Sequence, residues 1–193
     1  MTKKEIETFT PKSRAEWRQW LDKNHVTKQS VWLIYYKSSS KASSISWSEA
    51  VDEALCFGWI DSTRKTIDAD RFMQYFSKRK PNSSWSLINK EKVAMLIENK
   101  QMTKAGFDSI ETAKRNGSWT KMDEIEALVI PADLTEELKK YENATEYFDT
   151  LSKSNKKILL YWIGSAKRPE TRLKRISEIC QSASQKQKPK QFR

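Results

Sequence analysis

An uninterrupted apolar run, Val31-Trp-Leu-Ile-Tyr-Tyr36, is the feature of this chain that most constrains its fold. The run is too short and too rich in β-branched and aromatic side chains for a helix, so it predicts a strand covered on both faces. Ser13-Arg-Ala-Glu16 and Ser46-Trp-Ser-Glu49 flank it, and both match the capping box that starts a helix. We therefore expect a helix near 13–24, the strand, and a second helix that ends at Gly58.

Two more strands are predicted after Gly58, at 59–67 and 71–79, joined by a turn at Asp68-Ala-Asp70. Alternation in the second strand places Phe72 and Phe76 on one face. The chain beyond Ser84 reads as almost entirely helical. The predicted class is α+β: a small antiparallel sheet of about three strands backed by helices in the N-terminal half, and a mainly helical C-terminal half. The later helices are expected near 86–99, 103–115, 134–141, 144–151, 154–166 and 170–182.

The predicted organisation has three parts. Residues 8–82 form the sheet-containing part, and residues 83–181 form a helical part that packs with it as one compact unit. Residues 182–193 contain one aromatic residue and four cations, which is typical of a disordered basic tail. The Ser- and Lys-rich segment 38–44 is a predicted loop.

Composition indicates an aromatic core and a cytoplasmic location. Eight Trp, seven Phe and six Tyr compensate for an apolar content of only 37%, and disordered chains lack such rings. No secretory signal is visible, and no apolar stretch approaches the roughly 18 residues of a membrane span. Cys56 and Cys180 lie in apolar contexts, so we expect two reduced buried thiols.

The positive charge is concentrated at one end of the chain. Residues 150–193 carry 12 Lys and Arg against two acidic residues, so +10 of the net charge of +11 lies there. A second basic segment, 64–92, has eight cations and three acids. The C-terminal cations form a predicted basic patch, and they suggest one alternative function, a nucleic-acid-binding module that uses the last helix and the tail. The patch consists of Lys167, Arg168, Arg172, Lys174 and Arg175.

Familiar catalytic and metal motifs are missing from the sequence. His25 has no nucleophile or acid beside it and is interpreted as a helix-terminal residue. One His and two separated Cys do not make a zinc site, and no Gly-rich phosphate loop occurs. We therefore expect no metal and no cofactor, and no catalytic residue can be assigned. The protein is interpreted as a non-enzyme, with an enzyme on an anionic substrate that uses Asp61 as acid or base as the remaining alternative.

A candidate anion site lies where the hairpin meets the following helix. Two arginines, hydroxyl groups and a helix N-terminus are the components of such a site, and Asp61 is expected to orient one guanidinium. The alternative is an ordinary surface ion pair between Asp61 and Arg64 or Arg79. The expected partner is a small anionic ligand or a protein. The candidate residues are Asp61, Arg64, Arg79, Lys80, Ser84, Trp85 and Asn89.

A series of short motifs is spread over about residues 8–180. They are Phe9-Thr-Pro-Lys-Ser13, Trp17, Ala54-Leu-Cys-Phe-Gly-Trp-Ile-Asp61, Arg64, Asp70-Arg-Phe72, Ser77-Lys-Arg-Lys-Pro81, Ser84-Trp-Ser86, Asn89, Ala166-Lys-Arg-Pro-Glu-Thr-Arg172 and Arg175-Ile176. Together these motifs resemble the YdeI/OmpD-associated family, also called bacteriocin-protection proteins. The resemblance implies a role in tolerance of bacteriocins and cationic antimicrobial peptides, with no established reaction. Direct capture of cationic peptides is disfavoured because the chain carries the same charge sign, so the implied protection is indirect.

Overall fold

The structure is a computed structural model that describes residues 7–37, 40 and 44–192. Its contacts divide the chain into two units, one ending at Lys121 and the other starting at Met122. This division differs from the predicted one at 82/83. Two helices after the hairpin bury Val93, Leu96 and Ile110 in the same core as the sheet, so they belong to the first unit. Most of the predicted loop 38–44 lies outside the described residues.

The first unit is a four-stranded sheet with four helices, which confirms the predicted α+β class. The strands are β1 (Thr8–Phe9), β2 (Ser30–Tyr36), β3 (Trp59–Thr66) and β4 (Arg71–Lys78), in the order β1-β2-β4-β3. β2, β4 and β3 pair antiparallel as predicted, and the additional strand β1 pairs parallel to β2. The helices are α1 (Arg14–Asn24), α2 (Trp47–Cys56), α3 (Leu87–Glu98) and α4 (Lys104–Arg115).

Only one face of β2 is buried, so the prediction that this strand is covered on both faces was wrong. Val31, Leu33 and Tyr35 are buried, whereas the residues between them are partly exposed. On the partly exposed face of β2, the ring of Trp32 is covered by a neighbour in the same sheet: it lies edge-on to the ring of Tyr75, with ring centroids 5.1 Å apart.

Local capping and long-range bonds fix the helices against the buried face. The side chain of Ser13 accepts a hydrogen bond from the backbone of Glu16, and Ser46 and Glu49 form a complete capping box. The indole Nε1 of Trp17 donates to the carbonyl oxygen of Ala50 at 3.0 Å and joins α1 to α2. Glu53 is buried on α2 and accepts from arginines of α1.

The second unit is helical, with its own core. Its helices are α5 (Asp123–Glu126), α6 (Ala132–Leu138), α7 (Ala144–Thr150), α8 (Lys153–Gly164) and α9 (Pro169–Ser184), followed by a 3-10 turn at Lys190–Phe192. The ring of Phe192 packs edge-on against Trp162 with centroids 5.4 Å apart. This contact packs Phe192 against α8, and the disordered basic tail stays a prediction.

Candidate functional site

Arg79 lies immediately after β4 and has an unusual environment. Its backbone N–H donates to the carbonyl oxygen of Gly58 at 2.9 Å, which fixes the residue beside the turn between α2 and β3. Its guanidinium carbon lies 3.7 Å from the ring centroid of Trp85, and its Nη2 donates to the carbonyl oxygen of Ser84 at 2.5 Å. The structure therefore brings three of the candidate residues together: Arg79, Ser84 and Trp85.

Two nitrogens of the same guanidinium have no acceptor. Nε and Nη1 of Arg79 have almost no exposed surface, and no group in the described part of the chain accepts a hydrogen bond from them. Burial lowers the pKa of the guanidinium from its ordinary value to about 10, although the negative charge of Asp61 opposes this change. A buried donor without an acceptor is unfavourable, and native structures contain few of them.

A cavity of about 520 Å³ lies beside Arg79, and we call it the Arg79 pocket. This volume falls within the range of small-molecule sites. Its lining includes the cations Lys78, Arg79 and Lys104, together with apolar and aromatic side chains. Lys104 pairs with Asp108 at 2.7 Å. Lys78 instead donates to a backbone carbonyl oxygen, that of Val26, at 2.6 Å. The charges of Lys78 and Arg79 are therefore not neutralised by a contacting carboxylate.

Two residues with nitrogen-containing rings, His25 and Trp59, also line the pocket. Trp59 is only 1% exposed, and its Nε1, like the nitrogens of Arg79, has no acceptor among the residues that the structure covers. Nδ1 of His25 lies 3.0 Å from the carbonyl oxygen of Leu21. Because a carbonyl oxygen only accepts, Nδ1 carries the proton, and Nε2 is the ring nitrogen that does not make this bond.

Two glycines allow α4 to form one wall of the pocket. Gly58 has a φ of +70°, and a Cβ at this position would lie 2.9 Å from the carbonyl oxygen of Ala105. A Cβ on Gly106 would lie even closer to the carbonyl oxygen of Cys56. Close packing of α4 against the end of α2 therefore depends on both residues lacking a side chain.

The structure does not bring Asp61 and Arg64 into contact with Arg79. The carboxylate of Asp61 accepts hydrogen bonds from Nε1 of Trp47 and Nε2 of Gln74, each at 2.9 Å. The expectation that Asp61 orients a guanidinium was wrong, because both of these donors are neutral and no guanidinium in the described residues donates to its carboxylate. Arg64 lies over the ring of Phe72 at 3.8 Å and is exposed.

The other candidate residues lie outside the Arg79 pocket. Lys80 is exposed and lines a second cavity of about 700 Å³, which Arg79 also borders. The backbone N–H of Asn89 donates to the hydroxyl of Ser86 and completes the N-terminal cap of α3. Trp85 is 1% exposed, so its ring forms part of the core and is not an open stacking surface.

Of the residues that line the pocket, the candidate list contains only Arg79, and the residues that it missed include His25, Trp59, Lys78 and Lys104. Trp59 and Lys78 occur in the motifs that carry the family resemblance, so a signal existed for them. His25 was assigned only to the end of α1, and Lys104 had no signal because α4 reaches the pocket through tertiary packing. No group of His, Cys, Asp or Glu in the described ranges could hold a metal ion.

Two of the five cations in the predicted basic patch of the second unit are bound to other side-chain or backbone groups. Arg172 forms a two-point ion pair with Asp133 at 2.7 and 2.8 Å. Arg175 lies over the ring of Trp162 and donates to the carbonyl oxygen of that residue. The exposed members of the patch are Lys167, Arg168 and Lys174.

Comparisons with known proteins place both parts of the chain. A family model described as a domain of unknown function, DUF8412, matches residues 9–109, which is more than half of the chain. A second model, described as bacteriocin-protection, YdeI or OmpD-associated, matches residues 127–186. No curated protein and no solved structure gives a significant match. In the described residues, no helix has the length and apolar character needed to cross a membrane. The chain therefore belongs to the DUF8412 family, and its C-terminal part is a domain of the YdeI/OmpD-associated, bacteriocin-protection type.

Proposed function

We propose that this chain is a cytoplasmic, non-enzymatic bacterial tolerance protein whose biochemical activity is the binding of a small anion in the Arg79 pocket. The observation that carries the proposal is the guanidinium of Arg79: among the described residues, no carboxylate contacts this cation and two of its buried nitrogens have no acceptor. An anion that accepts from these nitrogens removes both costs at once. Lys78, which donates to the carbonyl oxygen of Val26, adds to the attraction.

The alternative functions have less support. An enzyme that uses Asp61 needs a second acid–base group beside this carboxylate. The hydrogen-bond partners of the Asp61 carboxylate are instead an indole and an amide, which do not act as acids or bases. For a nucleic-acid module that uses α9, free cations are needed, and Arg172 is already bound to a carboxylate. The tolerance role itself is supported by the family match of the C-terminal domain.

A thermal-shift experiment on the full chain tests anion binding. Acetate, benzoate, inorganic phosphate and phenyl phosphate are added at constant pH and ionic strength, with chloride as the reference. We expect at least one of these anions to raise the melting temperature of the wild type and to have no effect on Arg79→Met. Arg64→Met is the matched control, since both guanidinium groups lie over a ring at nearly the same distance. It should respond like the wild type, and a wild type that responds to none of the anions contradicts the proposal.

The tolerance role needs a test in cells. Expression of the wild-type chain in a bacteriocin-sensitive host should raise the inhibitory bacteriocin concentration, and expression of Arg79→Met at equal abundance should not. Equal protection by the two proteins would show that tolerance does not depend on Arg79 and would refute the link between tolerance and the Arg79 pocket.

A further inference from the structure

We propose that the ligand of the Arg79 pocket is an amphiphilic organic anion, with a carboxylate or phosphate head held by Arg79 and Trp59 and an apolar body packed against the pocket wall. This inference rests on the proposed anion-binding function and specifies the class of ligand. It is supported by three features of the pocket lining, namely its unpaired donors, its charge and its apolar surface.

The unpaired nitrogens require a ligand group that accepts and does not donate. Nε and Nη1 of Arg79 and Nε1 of Trp59 are all N–H donors, and none has an acceptor in the described residues. Carboxylate and phosphate oxygens are acceptors, and hydrogen bonds from N–H groups to them are stronger than those to neutral oxygens. Because the Arg79 nitrogens are covered, the proposal includes a rotation of the guanidinium towards the pocket when the anion enters.

The charge of the pocket favours an anionic head over a neutral one. The ammonium of Lys78 and the guanidinium of Arg79 each donate to a carbonyl oxygen, and neither forms an ion pair with an acidic residue that the structure describes. Lys104 is already paired with Asp108. The pocket therefore presents two cations whose charge a carboxylate or phosphate can balance.

The rest of the pocket wall is apolar and favours a ligand with a hydrophobic body. Val26 is 70% exposed and lines the pocket with Phe57 and Ala105. The ring of Phe57 also contacts His25, with centroids 5.1 Å apart. An inorganic anion would leave these surfaces in contact with water, whereas an organic body would cover them, and burial of apolar surface is favourable.

Isothermal titration calorimetry with two pairs of ligands tests the inference. Acetate is compared with benzoate, and inorganic phosphate with phenyl phosphate, on the full chain at constant pH and ionic strength. We expect the Kd of at least one ring-bearing anion to be at least tenfold lower than that of its small partner. The pair that shows this difference identifies the head group as carboxylate or phosphate.

Variants and NMR locate the bound body and head. Val26→Ser should weaken binding of the ring-bearing anion several-fold without changing that of its small partner. Ile88→Ser is the matched control, since Ile88 is 62% exposed and lies outside the pocket lining. In ¹H–¹⁵N spectra, the indole N–H signal of Trp59, assigned with Trp59→Phe, should move with saturation.

The outcomes separate this inference from the proposed function. Equal affinity for benzoate and acetate and for the two phosphates, with binding lost in Arg79→Met, overturns the amphiphilic ligand and leaves anion binding intact. Tighter binding of the ring-bearing anions with no response to Val26→Ser and no movement of the Trp59 signal places them elsewhere and also overturns the inference. Failure of all four anions to bind refutes the proposed function itself.

Discussion

Replacing Arg79 by methionine tests whether the buried guanidinium is retained at a cost to stability. Burial lowers its pKa from the ordinary value of an arginine to about 10, which corresponds to about 3 kcal/mol against the charged form in the folded state. Since the folded state binds this proton less tightly than the unfolded state, the whole penalty is present at neutral pH. The penalty declines only as the pH rises above about 10.

The favourable contacts of Arg79 nearly offset this penalty. Stacking of the cation on Trp85 contributes about 1–2 kcal/mol. The hydrogen bond to the carbonyl oxygen of Ser84 contributes about 1.5 kcal/mol. Methionine keeps an apolar stem and a sulfur contact with the ring. We therefore expect the free energy of unfolding of Arg79→Met to equal that of the wild type or to exceed it by up to ~1 kcal/mol.

Urea unfolding followed by tryptophan fluorescence measures this difference. Trp162 is the one tryptophan of the second unit, so a Trp162→Phe background makes the signal specific for the first unit. The measurement is made at pH 7 without added organic anions. A loss of about 3 kcal/mol or more would refute the reasoning, because losses of that size follow removal of a charge from a paired buried network.

Three further predictions concern the pocket wall, the thiols and the second unit. Gly58→Ala should lower the free energy of unfolding by about 2 kcal/mol or more, since strain at positive φ adds to a backbone clash. The control is Gly117→Ala, at φ +78° in open space, which should lower it by only about 1 kcal/mol. Equal losses of the two variants in urea unfolding would contradict the packing of α4. Burial raises the pKa of the Cys56 thiol to about 11, so a disulfide-exchange reagent at pH 8 should label this residue only after denaturation, and rapid labelling of the native chain would show that it is accessible. The hydrogen bond from Arg172 lowers the pKa of Asp133 below 3.8, so the pair stabilises the second unit above that pH and loses this effect as the pH falls further. Asp133→Asn should therefore cost about 0.5 kcal/mol at pH 6 and almost nothing near pH 2, and an equal cost at both pH values would exclude the ion pair as its cause.

Local patterns in the sequence predicted the elements that depend on neighbouring residues. Ser13 and Ser46 cap α1 and α2 because a capping box needs only residues three apart. Alternation along β4 correctly predicted that Phe72 and Phe76 are buried. It did not predict that Gln74 between them is buried too, because its amide is satisfied by Asp61 from a different strand. Partners distant in sequence leave no local signal.

In the candidate site, too, contacts between residues close in sequence could be anticipated, whereas contacts made by tertiary packing could not. Arg79 and Trp85 are six positions apart at the junction of hairpin and helix, and their side chains are in contact in the structure. His25 and Lys104 reach the pocket from α1 and α4, which only the three-dimensional packing of the first unit reveals. Strand β1 is two residues long and pairs with distant Trp32 and Leu33, so no pattern of its own could identify it.

The central claim, that Arg79 binds an anion, is tested most directly by following the Nε–H signal of its side chain in ¹H–¹⁵N spectra. The full chain, labelled with ¹⁵N, is titrated with benzoate and, separately, with phenyl phosphate at constant pH and ionic strength, and the signal is assigned with Arg79→Lys. Because Nε has no acceptor among the residues that the structure describes, we expect a saturable downfield shift of this signal with one of the two ligands, while the Nε–H signal of Arg64 stays in place. An Arg79 signal that does not move at any concentration of either ligand, or that moves only in parallel with that of Arg64, would contradict the claim.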